Sequence, residues 1–276
     1  MGSADAVPGI SGGTVALVIG LYRRLIDSIA TVLEYPRRRD FEALRAPLAF
    51  LLPLSLGMAA AYWLVSRLLI GPESNPGILL RETTAPLCYG LFSGLVAVSL
   101  REPWRRIDAP QREHLAFAGA GAVATFVVLG LPFATSTPAG WMLPVGGALA
   151  LTAMLLPGVS GSLVLVMLGQ YATIASAVHD LRLAPLLWFG SGGLVAALVV
   201  VPRLQRLLIE RPGRTLAVLT GVMAGSLRAL WPWKASYDVR AGDLSPQFVG
   251  ENWPEVALAA LLGGMLVLAL ERLSRR

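Results

Sequence analysis

The sequence predicts an all-α, polytopic membrane protein made of two repeats that are inserted in opposite orientations. Three observations predict it: the composition, the recurrence of long apolar segments, and a short phrase, Pro-Gly-x-Ser-Gly, that is written twice. Of the 276 residues, 55% are hydrophobic and 14% are charged, and the mean hydropathy is +0.65. A soluble domain carries about 25% charged residues, so this chain has too few charges to cover a surface that faces water on all sides.

Apolar segments of membrane-spanning length, about 20 residues, recur along the whole chain. We expect seven full spans at roughly 47–66, 84–100, 115–133, 140–156, 184–202, 214–231 and 254–270. Two more apolar segments, 14–33 and 162–178, directly follow the repeated phrase. Residues 1–276 are therefore expected to form a single integral membrane domain. The patterns GLFSG (90–94) and GVMAG (221–225) place glycines four residues apart, which predicts close helix packing.

Arginine carries almost all of the positive charge, and its distribution predicts the topology. The Arg-rich loops are 34–46, 101–114 and 203–214, and the Arg-poor ones are 71–83, 134–139, 179–183 and 232–253. Since basic loops stay in the cytoplasm, we expect the Arg-rich loops and the C-terminus on the cytoplasmic side. This interpretation accounts for the basic balance without a nucleic-acid partner.

The repeated phrase opens each half of the chain. The first copy reads AVPGISGGTVALVIGLY at 6–22, and the second reads LLPGVSGSLVLVMLGQY at 155–171. The helix after the first copy ends at an expected cytoplasmic loop, and the helix after the second ends at an outer one. The copies are therefore inverted, and we expect inverted repeats over 1–133 and 140–276. Inverted repeats with broken helices in corresponding positions are the sequence signature of secondary transporters.

The chemistry of the phrase indicates a broken helix with an anion site. Proline lacks an N–H and glycine tolerates unusual dihedral angles, so Pro-Gly interrupts the backbone, which in lipid must be buried or line a wet cavity. Serine and glycine at the following helix N-terminus leave N–H groups that bind anions. The first helix stays apolar only over 15–22 before Arg23 and Arg24. That length crosses less than half of the hydrocarbon core, so a re-entrant hairpin is expected. The alternative is an ordinary span kinked by proline.

At these residues the sequence resembles a known family. MGSADAVPGISGGTVALVIGLYRRLI, LLPGVSGSLVLVMLGQY and GSLRALWPWK at 225–234 look like the bacterial and archaeal polyprenyl-phosphate translocases, over essentially the whole chain. The resemblance implies a flippase in the cell (inner) membrane that returns undecaprenyl phosphate from the outer to the inner leaflet for envelope synthesis. The site residues it implies are Asp5, Pro8, Gly9, Ser11, Gly12, Gly13, Thr14, Pro157, Gly158, Ser160, Gly161 and Ser162.

The chain departs from the family pattern in two places. The family commonly reads Gly-x-Tyr-Glu after each motif, whereas here Tyr22 precedes Arg23, and Tyr171 precedes Ala172. The family also usually carries a hydrophobic segment before the first motif, and we therefore expect the native product to start upstream of Met1.

The residues themselves agree with the resemblance on the ligand class. Two anion-receptive helix ends reached from opposite sides suit an amphiphile with a small anionic head, whose polyprenyl tail stays among the membrane lipids. Arg23, Arg24 and Arg101 are expected to draw the phosphate to the cytoplasmic mouth. No Gly-rich phosphate loop precedes Lys234, the only lysine, so proton co-transport is expected instead of ATP hydrolysis.

Two other functions stay open at this point. One is transport of a different small anion. The other is intramembrane serine hydrolysis, because Gly-x-Ser-Gly is also a nucleophile motif, although neither His114 nor His179 falls at membrane depth to serve as base. With one cysteine, Cys88, and two histidines, neither a disulfide nor a Cys/His zinc site is expected, and no cofactor is predicted.

Overall fold

A computed structural model describes residues 1–5, 11–69, 77–131, 139–237 and 245–274. Across these residues the chain is helical, and the described β-structure consists of one isolated bridge between Lys234 and Pro246. The predicted all-α class is confirmed.

Thirteen α-helices are described. In the first half they are α1 (Gly2–Asp5), α2 (Gly12–Val18), α3 (Tyr22–Arg38), α4 (Phe41–Leu69), α5 (Ala85–Ser99), α6 (Arg101–Arg105) and α7 (Arg112–Val128). In the second half they are α8 (Leu143–Leu155), α9 (Gly161–Met167), α10 (Tyr171–His179), α11 (Leu183–Glu210), α12 (Pro212–Ser226) and α13 (Trp253–Ser274). Single 3₁₀ turns precede α8 and follow α12.

The expected number of full membrane spans, seven, is too high for the described helices. Two of them are long and apolar enough to cross a bilayer, Phe41–Val65 within α4 and Leu183–Glu210, and a third span results if the bent pair α9–α10 is counted as one. The other five segments do form helices, but α5 and α12 have 15 residues each and α7 has 17. Hydropathy alone overestimates the length of α5, α7 and α12, because apolar residues continue into the turns that cap these helices.

Three helix pairs make the most extensive contacts: α7 with α12, α5 with α13, and α8 with α11. Glycines set how closely they approach. A methyl group on Gly94 would overlap the Ala260 carbonyl of α13, and one on Gly221 would overlap the Ala118 carbonyl of α7. The close packing predicted from GLFSG and GVMAG is therefore present, and each pattern packs against a helix of the other half.

The core of the fold surrounds α2. Leu17 of α2 and Ile26 of α3 are buried with Val201 of α11, and with Leu219 and Met223 of α12. The outward faces of the longest helices are apolar, since Leu56, Trp63, Leu187 and Trp188 are all more than half exposed. Large apolar side chains along whole helix faces are typical of surfaces that contact lipid.

Candidate functional site

The short helices that follow the two copies of the phrase have the same length and start after the same residue type. Both α2 and α9 are seven residues long, and each begins directly after a serine with extended backbone. These serines, Ser11 and Ser160, are 1% and 3% exposed. In the second copy Pro157 and Gly158 separate α8 from α9, and Ser160 then starts the new helix.

Both short helices also end in the same way. Gly20 and Gly169 adopt positive φ angles of 80° and 66°. The amide of the next residue then donates to a carbonyl five residues back. Leu21 donates to Ala16 and Gln170 donates to Leu165, both at 2.8 Å. This is the glycine-dependent Schellman ending, which terminates a helix and redirects the chain. In the second copy α9 and α10 consequently meet at a bend of 119°.

The two phrases contact each other directly. The Gly158 amide donates to the Thr14 hydroxyl at 2.7 Å, and the Ser11 hydroxyl lies 3.4 Å from the Met154 carbonyl. Tyr22, buried at the start of α3, donates its hydroxyl to the Leu155 carbonyl at 2.6 Å. Backbone groups freed by the break between α8 and α9 are thus bonded by side chains of the first copy. Such partners are what a break at membrane depth requires.

The helix N-termini of the two copies differ in one respect. In the first copy, the Asp5 carboxylate accepts the Gly12 amide at 2.6 Å, and the Ser11 hydroxyl accepts the Gly13 amide at 3.0 Å. In the second copy, Ser160 makes no cap bond, and its hydroxyl pairs with that of Ser162 at 2.8 Å. The residue that corresponds to Asp5 there is Met154, 149 positions on, which supplies no side-chain acceptor.

The glycines of both phrases are buried among protein atoms. Gly158 has a φ of +93°, and a Cβ there would lie 2.7 Å from the Met223 Cα. A Cβ on Gly161 would lie 2.6 Å from the Met154 Cγ. Gly12 and Gly13 face Asp5 and Ser11 in the same manner. Gly13 allows the two phrases to pack together, since a Cβ there would lie 3.2 Å from the Met154 carbonyl and 3.7 Å from the Pro157 Cα. Gly158 allows the close approach of α12, and Gly161 that of α8. Pro157 is also buried, whereas Pro8 and Gly9 lie outside the described residues.

Arg23 and Arg24 lie apart from the phrase N-termini, beside a cavity of about 530 Å³ near the end of α2. The cavity is lined by Gly20, Arg23, Arg24, Asp27, Ser28, Thr31, Ala46 and Pro47. The Arg23 Nε lies 3.9 Å from the Asp27 carboxylate, and Arg24 lies over the Phe50 ring, 4.3 Å from its centroid. The structure thus groups the predicted residues into two places, the joined phrases and this charged cavity.

Sequence reasoning missed several polar partners. Gln205 of α11 donates to the Asp27 carboxylate at 2.9 Å, although nothing in the sequence relates these two distant residues. The role of Tyr22 could have been suspected from the sequence, since Tyr22 and Tyr171 occupy matching positions in the two copies. Lys234 also carried one as the only lysine: its ammonium donates to the Ala229 carbonyl at 2.7 Å and lies 3.5 Å from the Tyr89 ring centroid. Burial lowers the pKa of Lys234, in the connection after α12, to about 7.

Comparison with known proteins agrees with the motifs. Residues 1–247 match the family model described as VCA0040-like, undecaprenyl phosphate translocase-like. The chain belongs to this family. A polyprenyl-phosphate transporter of Vibrio cholerae serotype O1 is 31% identical over 253 residues, which cover 90% of this chain and 80% of that protein. A polyprenyl-phosphate transporter of Staphylococcus aureus is 29% identical over 249 residues, covering 84% and 83%. No solved structure matches the chain.

The resemblance stated from the motifs is therefore confirmed at the level of the family. Membership, together with the exposed apolar helices, identifies the chain as a membrane protein.

Proposed function

We propose that this protein is a flippase that moves polyprenyl phosphate, such as undecaprenyl phosphate, from the outer to the inner leaflet of a bacterial or archaeal cell membrane. The relatives named polyprenyl-phosphate transporters support the substrate class. The observation that carries the proposal is the meeting of the two phrases, where the Gly158 amide binds the Thr14 hydroxyl across the two halves. A single phosphate site between two broken helices suits a lipid whose head crosses the protein while its tail stays in the membrane.

In this proposal the second phrase provides the phosphate contacts. When two hydroxyls pair, as those of Ser160 and Ser162 do, one donates to the other and the second keeps a free O–H. A phosphate oxygen would accept the free O–H, both hydroxyls could donate to the phosphate once they separate from each other, and the start of α9 adds backbone N–H groups. The first phrase supports this assignment, because there a carboxylate, that of Asp5, already binds a backbone amide at the start of α2. If the phosphate passes from one copy to the other during transport, it would displace the Asp5 carboxylate from the Gly12 amide when it binds the first copy.

The inverted repeat is part of the same proposal. The equal lengths and matching endings of α2 and α9 support it. So does the packing, in which α5 contacts α13 of the other half and α12 contacts α7. Two halves related by a two-fold axis would exchange contacts in this way. Arg23 and Arg24 would then attract the phosphate at the cytoplasmic end, and protons would accompany it.

The test is transport of labelled undecaprenyl phosphate in proteoliposomes by the double variant S160A/S162A. Hydrogen bonds to a charged group contribute about 1.5–3 kcal/mol each, so we expect inward transport to fall by at least about tenfold. The matched control is S191A, since Ser191 lies on the exposed face of α11 and, among the residues that the structure describes, bonds the Trp188 carbonyl of its own helix. Transport by the double variant at the rate of S191A would contradict the proposed site.

Two further assays separate the alternatives. Uptake of inorganic phosphate or another soluble anion, without movement of the lipid, would favour the small-anion transporter. A serine hydrolase needs a base beside its nucleophile, but the described contacts of Ser11 and Ser160 are the Met154 carbonyl, the Gly13 amide and the Ser162 hydroxyl. We therefore propose no hydrolytic role, and reaction of either serine with a fluorophosphonate probe would contradict this.

A further inference from the structure

An apolar groove runs between α8 and α11. Its volume is about 370 Å³, within the range of small-molecule sites. Every residue that lines it is either glycine or apolar, and the residues that matter here are Ala150, Met154, Gly190, Gly193 and Leu194. It is open to the outside, since Met154 is 45% exposed and Leu194 is 56% exposed.

Glycines on both helices create this space. At one end the helices touch, because a Cβ on Gly147 of α8 would overlap the Phe189 carbonyl of α11. Beyond that contact the helices leave room. A Cβ on Gly190 would meet nothing within 4 Å, and one on Gly193 would meet only the Gly147 carbonyl, at 3.7 Å. The groove therefore occupies the space that side chains at Gly190 and Gly193 would otherwise fill.

The groove ends at the two joined phrases, and Met154 forms the connection. Its side chain lines the groove and lies against Gly161, the first residue of α9, where an added Cβ would be 2.6 Å from the Met154 Cγ. Its carbonyl, on the other side, lies 3.4 Å from the Ser11 hydroxyl. A molecule that reaches from the phrases toward the membrane along α8 therefore passes through the groove.

We infer that this groove binds the first isoprene units of the polyprenyl chain while the phosphate lies at Ser160 and Ser162. The inference rests on the proposed function and adds a subsite for the tail. The phosphate and the chain are covalently joined, so a head held at the phrases requires an apolar path that begins there and opens to lipid. The groove meets both requirements and carries no charge. The rest of a long chain would extend past Leu194 into the bilayer.

The test uses two phosphate monoesters, undecaprenyl phosphate and methyl phosphate, of which only the first carries isoprene units. In the variant G190L the new Cβ meets no atom within 4 Å, so the side chain has room to enter the groove. Methylenes displaced from an apolar site weaken binding. We expect the dissociation constant of G190L for undecaprenyl phosphate to rise at least about tenfold, with that for methyl phosphate unchanged.

The matched control is G119L. Gly119 is also an exposed helical glycine, on α7, and a Cβ there also meets nothing within 4 Å. Both variants gain the same side chain and the same helix propensity, so only the groove distinguishes them. G119L should bind both esters as the original protein does. A second variant, L194A, removes part of the groove wall and should weaken binding of the long ester alone, which keeps the test valid if G190L fails to fold.

Each outcome decides one point. If G190L binds both esters normally, or loses both equally, the tail subsite is wrong although the proposed function stands. If mass spectrometry of the intact protein shows G190L losing a bound phospholipid or a dimer partner without any change in affinity for undecaprenyl phosphate, the groove has a different occupant and the inference is overturned. If the original protein binds neither ester, the proposed function itself fails.

Discussion

At the scale of single residues, three described glycines of the phrases have left-handed backbone, and two of them, Gly20 and Gly158, differ in how much room surrounds them. Gly20 ends α2 with a φ of 80°, and the nearest atom to an added Cβ is the Arg106 Nη2 at 3.6 Å. Gly158 has a φ of 93° and would place a Cβ 2.7 Å from the Met223 Cα. Both positions impose backbone strain on other residues, while Gly158 adds a collision with a core helix.

We therefore expect the variant G20A to lower the free energy of unfolding by about 1–2 kcal/mol, the cost of left-handed backbone alone. G158A should cost about 1–3 kcal/mol more, since α12 must move to admit the methyl group. Thermal unfolding of both purified variants in the same detergent, followed by tryptophan fluorescence, measures the difference. Equal losses for G20A and G158A would show that the contact with Met223 is unimportant.

The sequence predicted a serine at the start of each short helix and the break between α8 and α9, because both follow from the local chemistry of proline, glycine and serine. It did not predict which atoms would bond the broken backbone. The bonds from Thr14 to Gly158 and from Tyr22 to Leu155 join residues more than 130 positions apart. Such pairs depend on how the halves pack, and a local pattern carries no information about that.

At the scale of helices, glycine spacing decides which elements touch. Gly221 on α12 faces the Ala118 carbonyl of α7 so closely that a Cβ would overlap it, whereas Gly119, the next residue on α7, faces open space. The variant G221V should force α7 and α12 apart and lower the free energy of unfolding by about 3 kcal/mol, at the upper end of overpacking costs.

The control is G119V, which adds the same β-branched side chain on the partner helix without a contact. It should change the melting temperature little. The measurement is thermal unfolding of both variants in one detergent, and a G221V protein as stable as G119V would contradict the close α7–α12 packing. The sequence predicted this packing from GVMAG, but it overestimated the lengths of α7 and α12, because hydropathy does not mark where a helix gives way to a capping turn.

At the scale of the whole molecule, the arrangement of charge determines how transport would be driven. A phosphate monoester carries about −1.5 to −2 charges at pH 7, and its second pKa is near 6. Moving each negative charge inward against an inside-negative potential costs about 2.3 kcal/mol per 100 mV. The phrases offer little to offset this, since Asp5 is the only charged residue among their predicted site residues.

Protonation of the phosphate outside is the simplest compensation, and it gives a signed prediction. Lowering the external pH from 7.5 to 5.5 raises the singly charged fraction by about 25-fold for a group with a pKa near 6. Inward flux of labelled undecaprenyl phosphate in proteoliposomes should therefore rise by up to that factor. An imposed inside-negative potential should slow the flux more at pH 7.5 than at pH 5.5, because more charge then crosses. The S160A/S162A protein serves as the control for leak, and a flux that follows only the lipid concentration ratio, whatever the pH or voltage, would exclude proton coupling.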